Sequence, residues 1–142
     1  MHFGGAMFFT DYSMSASELA RALEERGFES VWAPEHSHIP LSRKTPFPGG
    51  GDLPRQYYDA MDPFVVLAAA SEATRSIKLG IGVALIQQRD AIQTAKLVAS
   101  IGQVSRDGFC LASAAAGTRT KWKTTAPSTR PASSGCANRS RR

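Results

Sequence analysis

Short apolar segments alternate along this chain with segments that carry helix signals, and this alternation limits the possible folds more than any other feature. The apolar segments run over residues 2–9, 29–32 and 78–86, and a fourth begins at Phe109. Helices are predicted between them, over residues 16–26, 64–75 and 91–104. Strand–helix–strand units with short connections place successive strands parallel in one sheet. The chain is therefore predicted to be an α/β protein with about three βα units and the start of a fourth strand.

The predicted helices begin and end at residues suited to those positions. Ser15 and Glu18 have the spacing of a capping box, in which each side chain accepts a backbone N–H at the helix start. Gly27 follows the first helix, where a residue in the left-handed conformation commonly ends a helix. Asp62, which is followed by proline, and Asp90 precede the second and third helices as N-caps.

The segment Phe28–Pro40, FESVWAPEHSHIP, is the strongest candidate for a functional site. Glu35, His36 and His38 follow the end of a predicted buried strand in quick succession. Parallel α/β proteins bind ligands at the carboxyl ends of their strands, so an acid and two imidazoles at this position favour chemistry. From these residues alone, solvated loop residues without a role are an equally good interpretation.

A long connection over residues 41–61 follows this segment and is rich in proline and glycine. It is longer than an ordinary connection between strand and helix. Long insertions at the carboxyl end of a parallel barrel are usually functional. We therefore expect this connection to shape substrate access.

Several classes of site and location are not indicated by the sequence. There is no Gly-x-Gly-x-x-Gly after the first strand, no phosphate-binding P-loop and no nucleophile elbow. Cys110 and Cys136 lack the spacing of a zinc site, so free thiols and no metal site are expected. The longest apolar run, residues 64–70, is too short to cross a bilayer, and no signal peptide is recognisable. A cytoplasmic protein without membrane partners is therefore expected.

Four sequence blocks resemble the luciferase-like monooxygenase superfamily. They are APEHSHIP, the loop TPFPGGGDLP, the helix start MDPFVVLAAA and the segment LGIGVALIQQRDAI. Their order and spacing resemble most closely the branch of F420-dependent oxidoreductases, from residue 1 to about residue 105. The resemblance implies a (β/α)8 TIM barrel, of which this chain forms the N-terminal portion. It also implies a site for coenzyme F420 or FMN at the carboxyl ends of the strands.

The resemblance further implies roles for four residues. Glu35 and His36 match the acid–histidine pair that faces the deazaflavin or flavin ring, with His36 as the proton donor or acceptor. Gly82 and Val83 match the bulge of strand 3, where the family has a non-prolyl cis peptide behind the ring. For Gly82, an ordinary bulge or a close-packing glycine is the alternative.

The activity implied by the resemblance is hydride transfer between F420 and a small organic substrate, or FMN-dependent oxygenation. Many F420-using relatives have Asp-His where this chain has Glu35 and His36, and Glu-His is frequent in FMN-using relatives. The choice between the two cofactors therefore stays open. The resemblance also implies that the intact protein is a homodimer.

The C-terminal part of the chain differs from the rest in charge and composition. Residues 1–105 carry nine Lys or Arg and eleven Asp or Glu, whereas residues 106–142 carry eight basic residues and one acid. Of the 32 residues from Leu111 onward, 22 are Ala, Ser, Thr or Arg, so no apolar face is available for burial. We expect a partial TIM-barrel domain over residues 1–110 and a disordered basic tail over residues 111–142. A basic arm that binds nucleic acid is the less favoured alternative.

This tail is interpreted as translation out of frame. With suitable codons, the DNA from Phe109 onward encodes LLGIGGGWNADEMENHGT in a second frame, which resembles the glycine-rich fourth strand of the family. A single-base change between about Ser105 and Gly108, followed by an accidental stop, accounts for both sequences. The chain is then expected to be a truncated and inactive oxidoreductase. The alternative of another class is a non-catalytic interaction module with a basic tail.

Overall fold

A computed structural model describes residues 1–41 and 46–113 of this chain. Within these ranges, strands and α-helices alternate along the sequence. The strands are β1 (Gly4–Ala6), β2 (Ser30–Ala33), β3 (Lys78–Ala84) and β4 (Phe109–Ser113). The helices are α1 (Ala16–Glu25), α2 (Pro63–Glu72) and α3 (Ala91–Val104). The predicted α/β alternation is confirmed.

The four strands form one parallel sheet in the order β1-β2-β3-β4. Val31 of β2 is paired with Leu79 of β3, and Leu79 is paired in turn with Phe109 of β4. Because all strands run in the same direction, the segments that follow them leave the sheet at one end. This carboxyl end is where the predicted site residues are expected to meet.

The helix caps lie where the sequence predicts them. The Ser15 side chain accepts the N–H of Glu18, and the Glu18 side chain accepts the N–H of Ser15, which completes the capping box. Gly27 has a φ of 74° just after α1, a backbone conformation that glycine adopts without a steric penalty. Asp62 and Asp90 cap α2 and α3 through their carboxylates.

The core lies between the sheet and its helices. Val31, Leu79 and Ile81 alternate along β2 and β3 on the face that packs against α2, and Leu67 of α2 is fully buried there. Residues that alternate with them in the strands point to the other face of the sheet. On that face the Trp32 ring covers β3, and a Cβ added at Gly80 would lie 2.3 Å from Trp32 Cε3. A glycine is therefore required at position 80 if Trp32 keeps its place.

Strand β1 is shorter than the sequence predicts. It extends over Gly4–Ala6 instead of residues 2–9, because only these three residues are paired with β2. The segment beyond β1 has left the sheet, and the carbonyl of Phe9 there accepts the N–H of Met61 at 2.9 Å. The end of the long connection is thus tied to the end of the first strand.

Three further expectations fall at the end of the described part of the chain or beyond it. Cys110 on β4 is disulfide-bonded, so the expectation of a free thiol is wrong for this residue. Strand β4 continues to Ser113 and includes the first residues that the sequence assigns to the tail. The remainder of the expected tail, residues 114–142, lies outside the described residues.

Among the helices described, none has the length and apolar character needed to cross a membrane.

Candidate functional site at the carboxyl end of the sheet

The segment after β2 brings Glu35 and His36 to the carboxyl end of the sheet. Pro34 follows the last residue of β2 and cannot donate a backbone hydrogen bond to a neighbouring strand. The Glu35 side chain turns inward and is buried, with 4% of the residue exposed. His36 is partly buried, whereas His38 is exposed.

Glu35 is held by the segment that follows β3. Its Oε2 accepts the backbone N–H of Leu85 at 2.6 Å, and its Oε1 accepts the Nε–H of Arg89. A buried carboxylate is costly unless it is paired and hydrogen-bonded, and these two contacts satisfy both of its oxygens. Both of these bonds come from the segment that follows β3, so Glu35 anchors the end of β2 to that segment.

Arg89 links Glu35 to the start of α2. Its Nη2 donates to Asp62 Oδ2 at 2.6 Å, and its guanidinium lies 4.9 Å from the centroid of the Phe64 ring. Burial by itself lowers the pKa of Arg89, but the hydrogen bond to Asp62 and the charge of Glu35 outweigh it and raise the pKa above its ordinary value. The guanidinium therefore stays charged between the two carboxylates.

The His36 imidazole lies in a group of aromatic rings. Its centroid is 4.9 Å from that of Tyr57, edge to face, and 5.8 Å from that of Phe8 in a stacked arrangement. Tyr57 also contacts Phe8, at 4.6 Å, and Phe47, at 5.7 Å. The long connection after the predicted site thus contributes Tyr57, which contacts His36, and Phe47, which contacts Tyr57.

Gly82 and Val83 lie at an irregularity in β3. The peptide bond between them is cis, as the resemblance implies, and the pairing of β3 with β4 shifts register between Gly82 and Ala84. Gly82 is exposed although it lies within a strand, and it has no side chain above the backbone. The Trp32 ring flanks this backbone, because a Cβ added at Gly82 would lie 3.1 Å from Trp32 Cε3. A flat ring such as a deazaflavin or a flavin has access to Gly82 from the exposed side of the strand.

A second contact joins the segments after β2 and β3. The Ser37 hydroxyl donates to Gln88 Oε1 and lies 3.0 Å from His38 Nδ1. Ser37 and Glu35 flank His36 in the sequence, and both are bonded to residues 85–89. A cleft of about 370 Å³ lies nearby, beside the end of β1, and is lined in part by Phe8 and Gln56.

Sequence reasoning found the acid and the histidine but missed their partners. Asp62 was interpreted only as a helix cap, and Arg89 and the Leu85 N–H were given no role. The one available signal was an arginine three residues after the apolar segment 78–86 and next to a capping aspartate. No group of three or more His, Cys, Asp or Glu within residues 1–41 and 46–113 could hold a metal ion.

The chain has relatives among known proteins. Uncharacterized proteins of Mycobacterium tuberculosis and Mycobacterium bovis are each 39% identical to it over 108 residues. These residues make up 74% of this chain and 38% of each relative. The chain therefore spans well under half the length of the curated relatives it matches.

Solved structures share the fold. The oxygenating component of 3,6-diketocamphane monooxygenase from Pseudomonas putida, in complex with FMN, has a TM-score of 0.65 at 15% identity and is covered to 32%. The coenzyme F420-dependent tetrahydromethanopterin reductase from Methanopyrus kandleri has a TM-score of 0.61 at 21% identity and is covered to 28%. The superpositions cover 88% and 87% of this chain, respectively, so the described part of the chain has the fold of one part of these larger proteins.

The match to a protein family covers more than half of the chain. The luciferase-like monooxygenase family matches residues 11–121, which begin before α1 and continue past β4. This range contains the acid–histidine pair, the irregular strand β3 and the arginine between the carboxylates. This chain therefore belongs to the luciferase-like monooxygenase family.

Proposed function

We propose that the intact form of this protein is an F420-dependent oxidoreductase that acts on a small organic substrate. The observation that carries the proposal is the placement of His36, which follows β2 at the carboxyl end of the sheet, while the neighbouring strand β3 exposes its backbone at Gly82. When bound, a deazaflavin supplies the hydride chemistry, and the task of the protein is to place the ring and the proton-transfer group. The F420-dependent reductase among the structural neighbours supports this choice of cofactor.

In this proposal His36 holds or accepts the proton beside the reacting carbon. Histidine suits this task because its ordinary pKa lies near neutral pH. Backbone at Gly82 and Val83 supports one face of the ring. Glu35 has both oxygens bonded to Leu85 and Arg89, so it acts from behind His36 and not as a second proton donor.

FMN is the alternative cofactor, and two observations favour it. The pair after β2 is Glu-His, and one structural neighbour was solved in complex with FMN. Equilibrium titration of the frame-restored, full-length protein with each cofactor, followed by ring fluorescence, separates the two. Tighter binding of F420 supports the oxidoreductase proposal, and tighter binding of FMN supports a flavin-dependent monooxygenase. A full-length protein that binds neither cofactor contradicts the proposed site.

We further propose that this chain does not turn over substrate by itself, because four parallel strands make only half of an eight-stranded barrel. In TIM barrels a phosphate-binding site is frequently formed after strands 7 and 8, and no such strands occur in residues 1–41 and 46–113. The measurement is turnover of F420 by the purified chain. A kcat in the ordinary range, about 1 s⁻¹ or more, would contradict the proposal.

The composition of residues 111–142 supports the proposal of a frame change near codons 105–108. The test is to resequence the DNA across codons 104–121, because the family match continues to residue 121. A single-base difference that restores the glycine-rich fourth strand supports the proposal. An unchanged DNA sequence whose second frame encodes that strand places the frame change in the gene itself. DNA whose second frame does not encode that strand contradicts the proposal.

The role of His36 is tested in the frame-restored protein. Replacement of His36 by Ala should lower kcat by about 10²–10⁴, the usual contribution of a positioned acid or base. His38→Ala is the matched control, because this second imidazole lies two residues away but is exposed. Equal losses in both variants would contradict the assignment.

A further inference from the structure

The segments after β2 and β3 are joined on both sides of His36. Leu85 donates its N–H to Glu35 at 2.6 Å, and Ser37 donates its hydroxyl to Gln88. Residues 85–89 therefore hold the neighbour of His36 on each side. The backbone of His36 is fixed by bonds that its own side chain does not make.

Arg89 makes the ion pairs that join these segments. Its guanidinium donates to Glu35 through Nε and to Asp62 through Nη2, so it joins the end of β2 to the start of α2. Its side chain is 18% exposed and that of Glu35 is 2% exposed. Without this partner, the buried carboxylate would be left unpaired, which is costly, and it would move toward water.

We propose that Arg89 is a positioning residue, which acts through Glu35 to hold the His36 imidazole against Tyr57 and Phe8. Asp62 has the supporting role of orienting the guanidinium. The functional meaning of this inference rests on the proposed role of His36 beside the cofactor ring, but the arrangement itself requires no cofactor.

The geometry requires arginine and not just a positive charge. The guanidinium is a planar fork whose separate N–H groups reach two carboxylates on different elements. A lysine ammonium at this position retains the charge for Glu35 but is a single point on a flexible stem. Lysine should therefore restore the function of residue 89 in part, and an uncharged side chain of similar length should not restore it.

Nuclear magnetic resonance of the full chain tests the inference, since there are only three histidines to assign. The variants are Arg89→Met, which retains an apolar stem, and Arg89→Lys. Arg75→Met is the matched control, because Arg75 is exposed and lies before β3, at the opposite end of the sheet. The readouts are the cross-peaks between the His36 and Tyr57 rings and the exchange rate of the Leu85 amide proton.

In Arg89→Met we expect the His36–Tyr57 cross-peaks to weaken and the Leu85 amide to exchange about tenfold faster or more, the loss expected for a hydrogen bond to a charged group. Arg89→Lys should fall between this variant and the parent, and Arg75→Met should match the parent. Unchanged cross-peaks and exchange in Arg89→Met would overturn the inference.

A double variant, Glu35→Gln with Arg89→Met, covers the case in which the single change prevents folding by leaving a buried charge unpaired. It removes both charges, so it should fold and still lose the His36–Tyr57 cross-peaks. If those cross-peaks persist in the folded double variant, Arg89 does not position His36. Failure of the proposed function appears separately, as a frame-restored, full-length protein that binds neither F420 nor FMN while these effects on His36 remain in this chain.

Discussion

At the scale of single residues, Trp32 packs closely against the backbone of Gly80, on the face of the sheet opposite α2. The indole ring lies over β3, and its Nε1–H donates to Ser30 Oγ at 2.9 Å. The ring cannot retreat without giving up that bond. Position 80 therefore tolerates no side chain.

Replacement of Gly80 by Ala is expected to destabilise the chain by about 1–3 kcal/mol, the usual cost of overpacking. The measurement is the free energy of unfolding in denaturant. Gly102→Ala is the control, because a Cβ added there meets nothing within 4 Å and α3 gains a better helix former. This control should stabilise the chain by about 0.5–1 kcal/mol. Similar effects of the two changes would contradict the assigned contact.

Asp62 has two roles, one for each of its carboxylate oxygens. Oδ1 accepts the N–H groups of Phe64 and Val65, and Oδ2 accepts from Arg89. Replacement of Asp90 by Ala removes a cap alone and should cost about 1 kcal/mol. Asp62→Ala should cost about 1 kcal/mol more than that, because a bond to a charged group is lost as well.

Asp62→Asn separates the two roles of this residue, since the amide oxygen can still cap α2 while the negative charge is gone. Its free energy of unfolding should fall between those of the parent and Asp62→Ala. If Asn costs as much as Ala, capping contributes nothing at this helix start.

These residues also show how far sequence reasoning reaches into the site. The caps were predictable because the groups involved are two or three positions apart. The bond between Glu35 and Arg89 joins residues 54 positions apart, and no periodic pattern marks such a pair. Glu35 and His36 were found from their place after a strand, whereas their partners required the fold.

At the scale of elements, Glu24 near the end of α1 holds the connection between α2 and β3. Its carboxylate accepts the N–H groups of Arg75, Ser76 and Ile77, at 3.0, 2.6 and 2.9 Å. The hydrogen bond from Ser76 is the chief cause that lowers the pKa of Glu24 to about 2, with further help from Ile77 and Arg75. The connection that precedes β3 is thereby fixed to the first helix.

The hydrogen bonds to Glu24 make the stability of the chain depend on pH. The pKa of Glu24 is lower in the folded state than its ordinary value of 4.5, so its contribution is complete above pH 4.5 and is lost as the pH falls toward 2. Glu24→Gln should cost about 1 kcal/mol at neutral pH and should flatten the loss of stability below pH 4.5.

Thermal melts of the parent and of Glu24→Gln across this pH range provide the measurement. Glu25→Gln is the matched control, since it makes the same change on the next, exposed residue. Parallel pH profiles for the parent and Glu24→Gln would show that the carboxylate does not hold the connection.

The elements themselves were largely predictable, because their signals are local. The start of α3 at Ala91 and its end at Val104 agree with the sequence pattern. The extent of β1 does not agree with the sequence pattern, because an apolar run can be longer than the part of it that pairs with another strand. Which residues pair depends on the neighbouring strand, and the sequence of one segment carries no information about that neighbour.

At the scale of the whole molecule, the described sheet has two open sides. Strands β1 and β4 are each paired with one neighbour in the ranges that the structure describes. On α3, Ile92 is 81% exposed, and Leu97 and Val104 are also exposed. Open strand edges and apolar helix surface both favour association with other chains.

The purified chain is therefore expected to associate as its concentration rises, which sedimentation velocity measures. Lysine at position 112 on β4, or in place of Ile92 on α3, should reduce association, because charge at an edge or an apolar surface opposes it. Gln93→Lys, which adds the same charge beside Ile92, should have a smaller effect. A chain that stays monomeric at every concentration would show that both surfaces are covered.

The contact of Trp32 with β3 also has a practical consequence. The chain contains two tryptophans, and replacement of Trp122 by Phe leaves Trp32 as the single indole emitter. Its ring lies over Gly80 and near Gly82, so its fluorescence depends on the geometry of the strand next to the acid–histidine pair. The sheet thus carries its own optical reporter, and unlabelled protein is enough to follow any rearrangement there in real time.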